Sequence, residues 1–207
     1  MALTEREFKE RWSNLHGGAE VAGVVAGWLT FSYQVARVCT ALRITPNVLT
    51  ALGLISAITM ALSTYAAIAL LLLATSLFFD GIDGSVAIVQ GRDSKWGSLL
   101  DSLADRISEA LWLYMGWRIG IPAWVVISMW TIASTQEYAR ARMASLGHHE
   151  VGVVTITERP VRAIFMAFAL IFYIFDIPGL LELSYGFLLL LLFSFAQVMR
   201  VTFLKLR

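Results

Sequence analysis

Long apolar runs separated by short polar segments dominate the pattern of residues along this chain. The hydrocarbon core of a bilayer is about 30 Å thick, so a spanning helix needs roughly 20 predominantly apolar residues. The stretches that approach this length are residues 48–65, 67–90, 97–117, 122–146, 160–176 and 180–204. The pattern therefore predicts an all-α integral membrane protein with six transmembrane helices.

Residues 20–42 are ambiguous, because Gln34 and Arg37 interrupt an otherwise apolar segment. This segment is either a seventh span or an amphipathic helix that lies in the headgroup layer. A seventh span would move only the charged N-terminal residues to the opposite side of the membrane. The distribution of charge is therefore the observation that separates the two interpretations.

The asymmetry of basic residues favours the interfacial helix. If the first span begins at residue 48, most Lys and Arg residues lie on one side, and the short loops of the other side contain only Arg118. The positive-inside rule assigns the basic side to the cytoplasm. We expect an N-terminal cytoplasmic or interfacial helical segment at residues 1–47 and a six-helix domain at residues 48–207. The protein is expected in the cell (inner or plasma) membrane.

Composition agrees with a membrane protein. The 207 residues are 58% apolar and 15% charged, with a mean hydropathy of +0.71, whereas soluble domains carry about 25% charged residues. The single cysteine, Cys39, excludes an intrachain disulfide and is expected to be a small apolar filler. Residues 4–11 carry both signs of charge, so no removable signal peptide is expected. His148 and His149 are expected to be solvated loop residues.

Four aspartates lie at membrane-associated depth, where ionised carboxylates are rare unless they line a polar cavity. Asp80 and Asp83 are spaced i, i+3, and Asp101 and Asp105 are spaced i, i+4. Each spacing places its pair on one face of a helix. The short polar turn at residues 91–95 makes the two helices neighbours, so the two pairs are expected to converge near the cytoplasmic helix ends.

Four converging carboxylates require cations, and hard oxygen ligands select Mg²⁺ or Mn²⁺. Two ions would balance the four charges, and such pairs commonly stabilise phosphoryl displacement. Gly81, Gly84 and Gly97 would let a phosphate approach the backbone. Two alternatives stay open: salt bridges from the aspartates to nearby basic residues at the membrane surface, and a divalent-cation transporter that uses the same carboxylates.

Together these residues form the pattern Asp80-x2-Asp83-Gly84-x2-Ala87-x9-Gly97-x3-Asp101-x3-Asp105. The pattern resembles the signature of the CDP-alcohol phosphotransferase (phosphatidyltransferase) family. The resemblance implies six spans, a cytoplasmic site and an N-terminal interfacial helix. It also implies displacement of CMP from a CDP-linked alcohol, usually CDP-diacylglycerol, by a second alcohol, and a homodimer. No nucleic-acid partner is expected.

The resemblance also implies roles for individual residues. Asp80, Asp83, Asp101 and Asp105 would hold the metal, and Asp105 would in addition take the proton of the acceptor hydroxyl. Gly84, Ala87 and Gly97 match positions that line the nucleotide pocket. The family has an arginine after the alanine, and this chain has Ile88 there. Arg92, one helical turn further on, is a candidate substitute for that cation, and a catalytically impaired paralogue is the alternative.

A second polar group lies at the ends of the later helices and contains Glu137, Arg140, Arg142, Arg159, Arg162 and Arg200. Arginines on several helices can form a pocket for an anionic acceptor, although ordinary positive-inside charge is the alternative. Within the family, Tyr138-x-Arg140-Ala141-Arg142 and Glu158-Arg159-Pro160-x-Arg162 resemble actinobacterial phosphatidylinositol phosphate synthases. That resemblance implies a phosphorylated inositol as acceptor, contacted by Arg140, Arg159, Arg162 and Arg200. Glu137 replaces an expected serine, so glycerol 3-phosphate or another polyol stays an alternative.

Overall fold

The computed structural model describes residues 3–15, 17–147 and 155–207, and these residues form helices joined by short connections, with no strand among them. The helices are α1 (Glu5–Leu15), α2 (Gly23–Ala41), α3 (Pro46–Leu62), α4 (Ala66–Gln90), α5 (Lys95–Arg118), α6 (Ala123–Ser145), α7 (Arg159–Ile174) and α8 (Leu180–Leu206). The predicted all-α class is confirmed. His148 and His149 lie outside the described residues.

Each of the six predicted apolar stretches corresponds to one helix from α3 to α8. By length and apolar composition, α4 and α8 are candidate membrane spans among the described residues, and α2 with α3 qualifies as a pair that is bent by 108°. Two or three spans therefore follow from length and composition, against the six predicted. The others are shorter or more polar: α7 has 16 residues, and α5 contains the three carboxylates Asp101, Asp105 and Glu109.

The ambiguous segment 20–42 forms α2, which stops before α3 begins. Arg43 adopts φ 59°, in the left-handed region, and Ile44 N donates to Cys39 O over 2.8 Å. This geometry ends a helix and turns the chain. As a result α2 is bent by 108° away from the direction of α3.

The first helix, α1, was not singled out by the apolar pattern, although a local signal for it exists. Thr4 and Glu7 form a capping box, in which Glu7 N donates to Thr4 Oγ1 over 3.3 Å and Thr4 N donates to Glu7 Oε2 over 2.7 Å. Arg6 and Glu10 form an i, i+4 ion pair of 2.8 Å on the exposed face. The capping motif and the charge spacing could have identified this helix from sequence alone.

The chain divides into two compact units. The first contains the described residues up to Ser56 together with Ala74–Ser108. Its core is formed by α1, α2, α3 and α4 and includes Phe8, Leu29, Ile82 and the buried free Cys39.

The second unit contains Ala57–Leu73 and the described residues from Glu109 to Arg207. In it α6 and α7 pack on α8. The rings of Phe165 and Phe187 stack with centroids 4.3 Å apart.

Within the first unit, α3 and α4 approach closely at Gly53. Gly53 O accepts a hydrogen bond of 2.8 Å from Ser76 Oγ. A Cβ atom at residue 53 would lie 3.3 Å from Ser76 O and 3.7 Å from Asp80 N. The lack of a side chain therefore lets α3 pack directly on the segment of α4 that carries the first aspartates.

Candidate active site

The turn between α4 and α5 is built from local sequence signals. Gly91 adopts φ 62°, and Arg92 N donates to Ala87 O over 2.9 Å, which closes the end of α4. Ser94 then caps α5, because its Oγ accepts a 3.0 Å hydrogen bond from Gly97 N. The two helices are thus consecutive and joined by a tight turn, as predicted from the spacing.

Three of the four predicted aspartates meet on these helices. Carboxylate oxygens of Asp80, Asp101 and Asp105 lie within 4.8 Å of one another, and all three side chains are half-buried. One residue comes from α4 and two come from α5. Arg106 Nη2 is 4.0 Å from Asp105 Oδ2, at the outer limit of an ion pair. Like charges at such separations repel strongly unless a cation lies between them.

The fourth aspartate, Asp83, has a different immediate partner. Its Oδ2 accepts a 2.5 Å hydrogen bond from Thr50 Oγ1 on α3, and the residue is only 6% exposed. Asp83 is not a member of the three-carboxylate group, but it lines the same cavity as Asp101. No local pattern pointed to Thr50, since it is 33 residues away from Asp83 in the chain.

The donor set fits a hard divalent cation. Carboxylate oxygens are the ligands that Mg²⁺ and Mn²⁺ prefer, and three of them from two helices can share one ion. Asp83, which is hydrogen-bonded to Thr50, lines the cavity beside Asp101. The residues present therefore match the predicted metal chemistry.

A cavity of about 270 Å³, hereafter the α4–α5 cavity, opens beside these acids. It is lined by Leu15, Pro46, Asn47, Thr50, Asp83, Gly84, Ala87, Ile88, Arg92, Asp93, Ser94, Gly97, Ser98 and Asp101. All residues predicted to bind the donor are in this wall, namely Gly84, Ala87, Arg92 and Gly97. Its volume is near the lower end of the range for small-molecule sites, about 300 to 1,000 Å³.

Ile88 is both a wall of this cavity and a member of the apolar core. Its side chain is 4% exposed and packs in the cluster that contains Val86 and Val89. Arg92 lines the same cavity and is the cation that the sequence offered as a substitute. The position that carries arginine in the family motif is thus apolar and closely packed here.

Two arginines of the second unit, Arg140 and Arg162, are paired with carboxylates. Arg140 makes a bidentate contact with Glu158, at 2.8 and 2.6 Å, and its Nη1 is 3.4 Å from Glu137. Arg162 is buried, forms an ion pair with the buried Glu109 and is 3.3 Å from Glu137. Glu137 therefore contacts both arginines, a role that no local pattern in the sequence indicates.

Glu158 lies just before α7 and is half-buried between these partners. Burial alone would raise its pKa, but the hydrogen bonds from Arg140 and Thr155 outweigh burial and lower the pKa to about 2. Thr155 contributes through both its backbone N, at 2.7 Å, and its Oγ1, at 2.9 Å. Glu158 is consequently ionised at neutral pH and holds Arg140 in place.

The other two predicted acceptor ligands have different surroundings. The guanidinium of Arg159 lies 5.3 Å from the ring centroid of Trp112, within the range of a cation–π contact. Arg200 is on α8 and is exposed. Of the four arginines, Arg200 is therefore the most accessible to solvent, and Arg162 is the least.

Proteins of known function are similar to this chain in sequence. An archaetidylinositol phosphate synthase of Aeropyrum pernix is 38% identical over 115 residues, which cover 56% of this chain and 59% of that protein. A phosphatidylinositol phosphate synthase of Cutibacterium acnes is 31% identical over 146 residues, which cover 65% of this chain and 70% of that protein.

Solved structures share the fold. The crystal structure of a Mycobacterium tuberculosis phosphatidylinositol phosphate synthase with CDP-DAG bound matches with a TM-score of 0.66 at 22% identity, over 83% of this chain and 92% of its own. The same enzyme in complex with manganese and citrate gives a TM-score of 0.67 at 23% identity, over 83% and 88% of the two chains.

The sequence model of one family, the CDP-alcohol phosphatidyltransferases, matches residues 43–201. The match includes the whole aspartate motif, so the family predicted from that motif is confirmed. By the aspartates that converge on α4 and α5, and by a match over most of its length, this chain belongs to the CDP-alcohol phosphatidyltransferase family.

Proposed function

We propose that the protein transfers a phosphatidyl group from a CDP-alcohol, such as CDP-diacylglycerol, to a hydroxyl of a polar acceptor and releases CMP, in phospholipid biosynthesis. The observation that carries the proposal is the position of Asp101. It belongs to the three-carboxylate group and also to the wall of the α4–α5 cavity. A site for a divalent cation and a site for the donor headgroup therefore share one residue.

The metal ligands in this proposal are Asp80, Asp83, Asp101 and Asp105, which would hold two Mg²⁺ ions, with Mn²⁺ as a substitute. When bound, divalent cations neutralise a diphosphate and lower the cost of expelling CMP. The protein's part is to hold the donor at the cavity wall, where Gly84, Ala87 and Gly97 present little side-chain volume. Arg92 adds the positive charge that Ile88 does not supply.

Asp105 is the proposed base for the acceptor hydroxyl. It lies within 4.8 Å of the two other carboxylates of the group. A carboxylate next to a cation is a weak base, so most of the rate must come from positioning and from electrostatic stabilisation of the departing phosphate. The proton moves from the acceptor oxygen to the Asp105 carboxylate as the new P–O bond forms and the bond to CMP breaks.

The acceptor is proposed to be an inositol phosphate, with glycerol 3-phosphate or another polyol as the alternative. The names of the relatives from A. pernix and C. acnes support the first. The proposed ligands of the acceptor phosphate are Arg140, Arg159, Arg162 and Arg200. Arg200, which is exposed, is the most accessible of the four for such a contact.

The proposed arrangement in the membrane follows from the six apolar stretches and the bend before α3. The chain would place six helices, α3 to α8, across the cell membrane, with α2 in the headgroup layer and the site facing the cytoplasm. Residues 1–47 would form the interfacial segment and residues 48–207 the membrane domain. The bend of 108° between α2 and α3 supports the change of direction that this requires. The protein would act as a homodimer.

Release of CMP tests the function directly. Purified protein in detergent is incubated with CDP-diacylglycerol, Mg²⁺ and a panel of polyols and polyol phosphates, and free CMP is measured. We expect CMP release that depends on both metal and acceptor, with inositol phosphate the preferred substrate. Absence of CMP with every acceptor would contradict the proposal.

A catalytically impaired paralogue is the second candidate, because Ile88 replaces the arginine of the family motif and is packed in the core. The variant Ile88→Arg distinguishes an active enzyme from an impaired paralogue. Ile88→Met is the control, because it also replaces isoleucine by a long side chain but adds no charge. If the native chain is active, Ile88→Arg changes the donor KM by a modest factor. If the chain is impaired, Ile88→Arg alone creates turnover from an inactive background.

A further inference from the structure

One residue that lines the α4–α5 cavity comes from α1, which lies near the N-terminus, far from the aspartate motif in the sequence. Leu15, the last residue of α1, lines the cavity together with Asp83 and Asp101. Leu15 is 55% exposed, so it is a rim residue and not part of the core. The family match begins at residue 43, so α1 is outside the matched segment.

An ion pair joins α1 to the turn between α4 and α5, which also lines the cavity. Arg11 Nη2 is 2.6 Å from Asp93 Oδ1, and both side chains are about two-fifths exposed. Asp93 follows Arg92 directly, and both residues line the cavity. The pair therefore connects the helix that carries Leu15 to the segment between α4 and α5.

The ion pair also changes the charge at the cavity rim. A donor diphosphate is an anion, and the free carboxylate of Asp93 would repel it. The guanidinium of Arg11 neutralises that carboxylate at hydrogen-bonding distance. The contact thus orients α1 and removes an unfavourable negative charge from the entrance.

The remainder of α1 is held independently of Arg11. Phe8 is fully buried and packs against Tyr33 with ring centroids 5.6 Å apart. Lys9 donates to Thr30 over 2.7 Å. A substitution at Arg11 therefore leaves the helix docked on α2 and affects mainly the contact with Asp93.

We propose that α1 helps to position the donor. The Arg11–Asp93 ion pair holds Leu15 at the rim of the α4–α5 cavity, where Leu15 contacts the nucleotide end of the CDP-alcohol. This rests on the proposed function, since it takes the cavity to be the donor's. Arg11, Leu15 and Asp93 are positioning residues and take no part in bond making. They add a contact to the donor beyond those of the aspartate motif.

The first test separates donor KM from kcat. Arg11→Gln raises the KM for CDP-diacylglycerol about two- to fivefold, the scale of a partly exposed ion pair, and leaves kcat and the thermal unfolding midpoint unchanged. Arg6→Gln is the matched control, because Arg6 pairs with Glu10 on the exposed face of the same helix. An unchanged KM in Arg11→Gln, or an equal rise in the control, overturns the proposal.

A double-mutant cycle isolates the pair from the net charge at the rim. Arg11→Glu and Asp93→Arg are measured singly and together. If the contact matters, the rise in donor KM of the double variant is smaller than the product of the rises in the two single variants. Fold-changes that multiply overturn the proposal, because they mean that the two charges act separately.

A binding readout independent of turnover uses the single native cysteine. In a Cys39→Ala background, Leu15→Cys is labelled with a water-soluble maleimide in the presence and absence of CMP with Mg²⁺. The matched control is Asn14→Cys, since Asn14 lines a separate surface cavity. We expect CMP to slow labelling at residue 15 several-fold and to leave residue 14 unchanged. Equal rates at residue 15 with and without CMP overturn the proposal.

The outcomes distinguish this inference from the proposed function. If the native protein turns over, but Arg11→Gln leaves the donor KM unchanged and CMP does not slow labelling of Leu15→Cys, only the role of α1 is contradicted. A native protein that neither releases CMP from the donor nor binds CMP contradicts the proposed function, and the role of α1 falls with it.

Discussion

Thr50 Oγ1 on α3 donates a hydrogen bond of 2.5 Å to Asp83 Oδ2 on α4. Asp83 is buried and lines the cavity, so this bond fixes the orientation of its carboxylate there. Partners of this kind orient metal ligands, and their loss commonly lowers metal affinity or activity about 10- to 100-fold. Thr50 thus connects α3 to the aspartate-bearing face of α4.

We predict that Thr50→Val raises the Mg²⁺ concentration required for half-maximal turnover by about tenfold or more. The buried carboxylate would lose its donor, at a cost of about 1 to 3 kcal/mol. A metal titration of CMP release measures the effect. Thr50→Ser keeps the hydroxyl and should behave as the native protein. Native metal dependence in Thr50→Val would show that the bond has no bearing on the site.

Asp105→Asn is expected to abolish turnover while largely keeping metal and donor binding. The amide cannot take a proton from the acceptor hydroxyl, but two neighbouring carboxylates remain in the group. Turnover is followed by CMP release, and donor binding by titration with the CDP-lipid in the presence of Mg²⁺. Near-normal rates in this variant would contradict the assignment of Asp105 as the base.

Arg162 and Arg200 should respond differently to substitution. Arg162→Met removes the guanidinium that faces buried Glu109, which typically costs about 3 to 5 kcal/mol. We expect a large fall in the thermal unfolding midpoint for this variant. Arg200→Gln changes an exposed residue, so it should raise the acceptor KM with little loss of stability.

The double variant Arg162→Met with Glu109→Leu is the control for that prediction, since it removes both charges and should recover stability. A stable Arg162→Met protein would contradict a structural role for the Arg162–Glu109 pair, whatever the acceptor KM of the variant.

The lowered pKa of Glu158 predicts that the protein loses stability in acid. This pKa is lowered to about 2 in the folded protein, from an ordinary value of 4.5. A carboxylate with a lowered folded pKa stabilises the protein above its unfolded pKa, and this contribution is lost as the pH falls from about 4.5 toward 2. Thermal unfolding measured across this range should show a declining midpoint. Glu158→Gln should show a smaller decline, and an equal decline would exclude Glu158 as the cause.

The six helices α3 to α8 were predictable because each contains a long apolar run, and the observed bounds differ from the predicted ones by a few residues. The turn between α4 and α5 was predictable as well, because Gly91 and Ser94 are local signals for a helix end and a helix start. The capping box of α1 was also present in the sequence, but its short, strongly polar helix does not stand out in an apolar pattern.

The amino-acid sequence by itself determined the helical class, the aspartate spacing and the family, because periodicity, helix signals and motifs are properties of neighbouring residues. Only the tertiary structure placed Thr50 beside Asp83, Arg11 beside Asp93 and Glu109 beside Arg162. These partners are 33, 82 and 53 positions apart. No local pattern encodes such pairs, since they depend on which faces of distant helices come together when the chain packs.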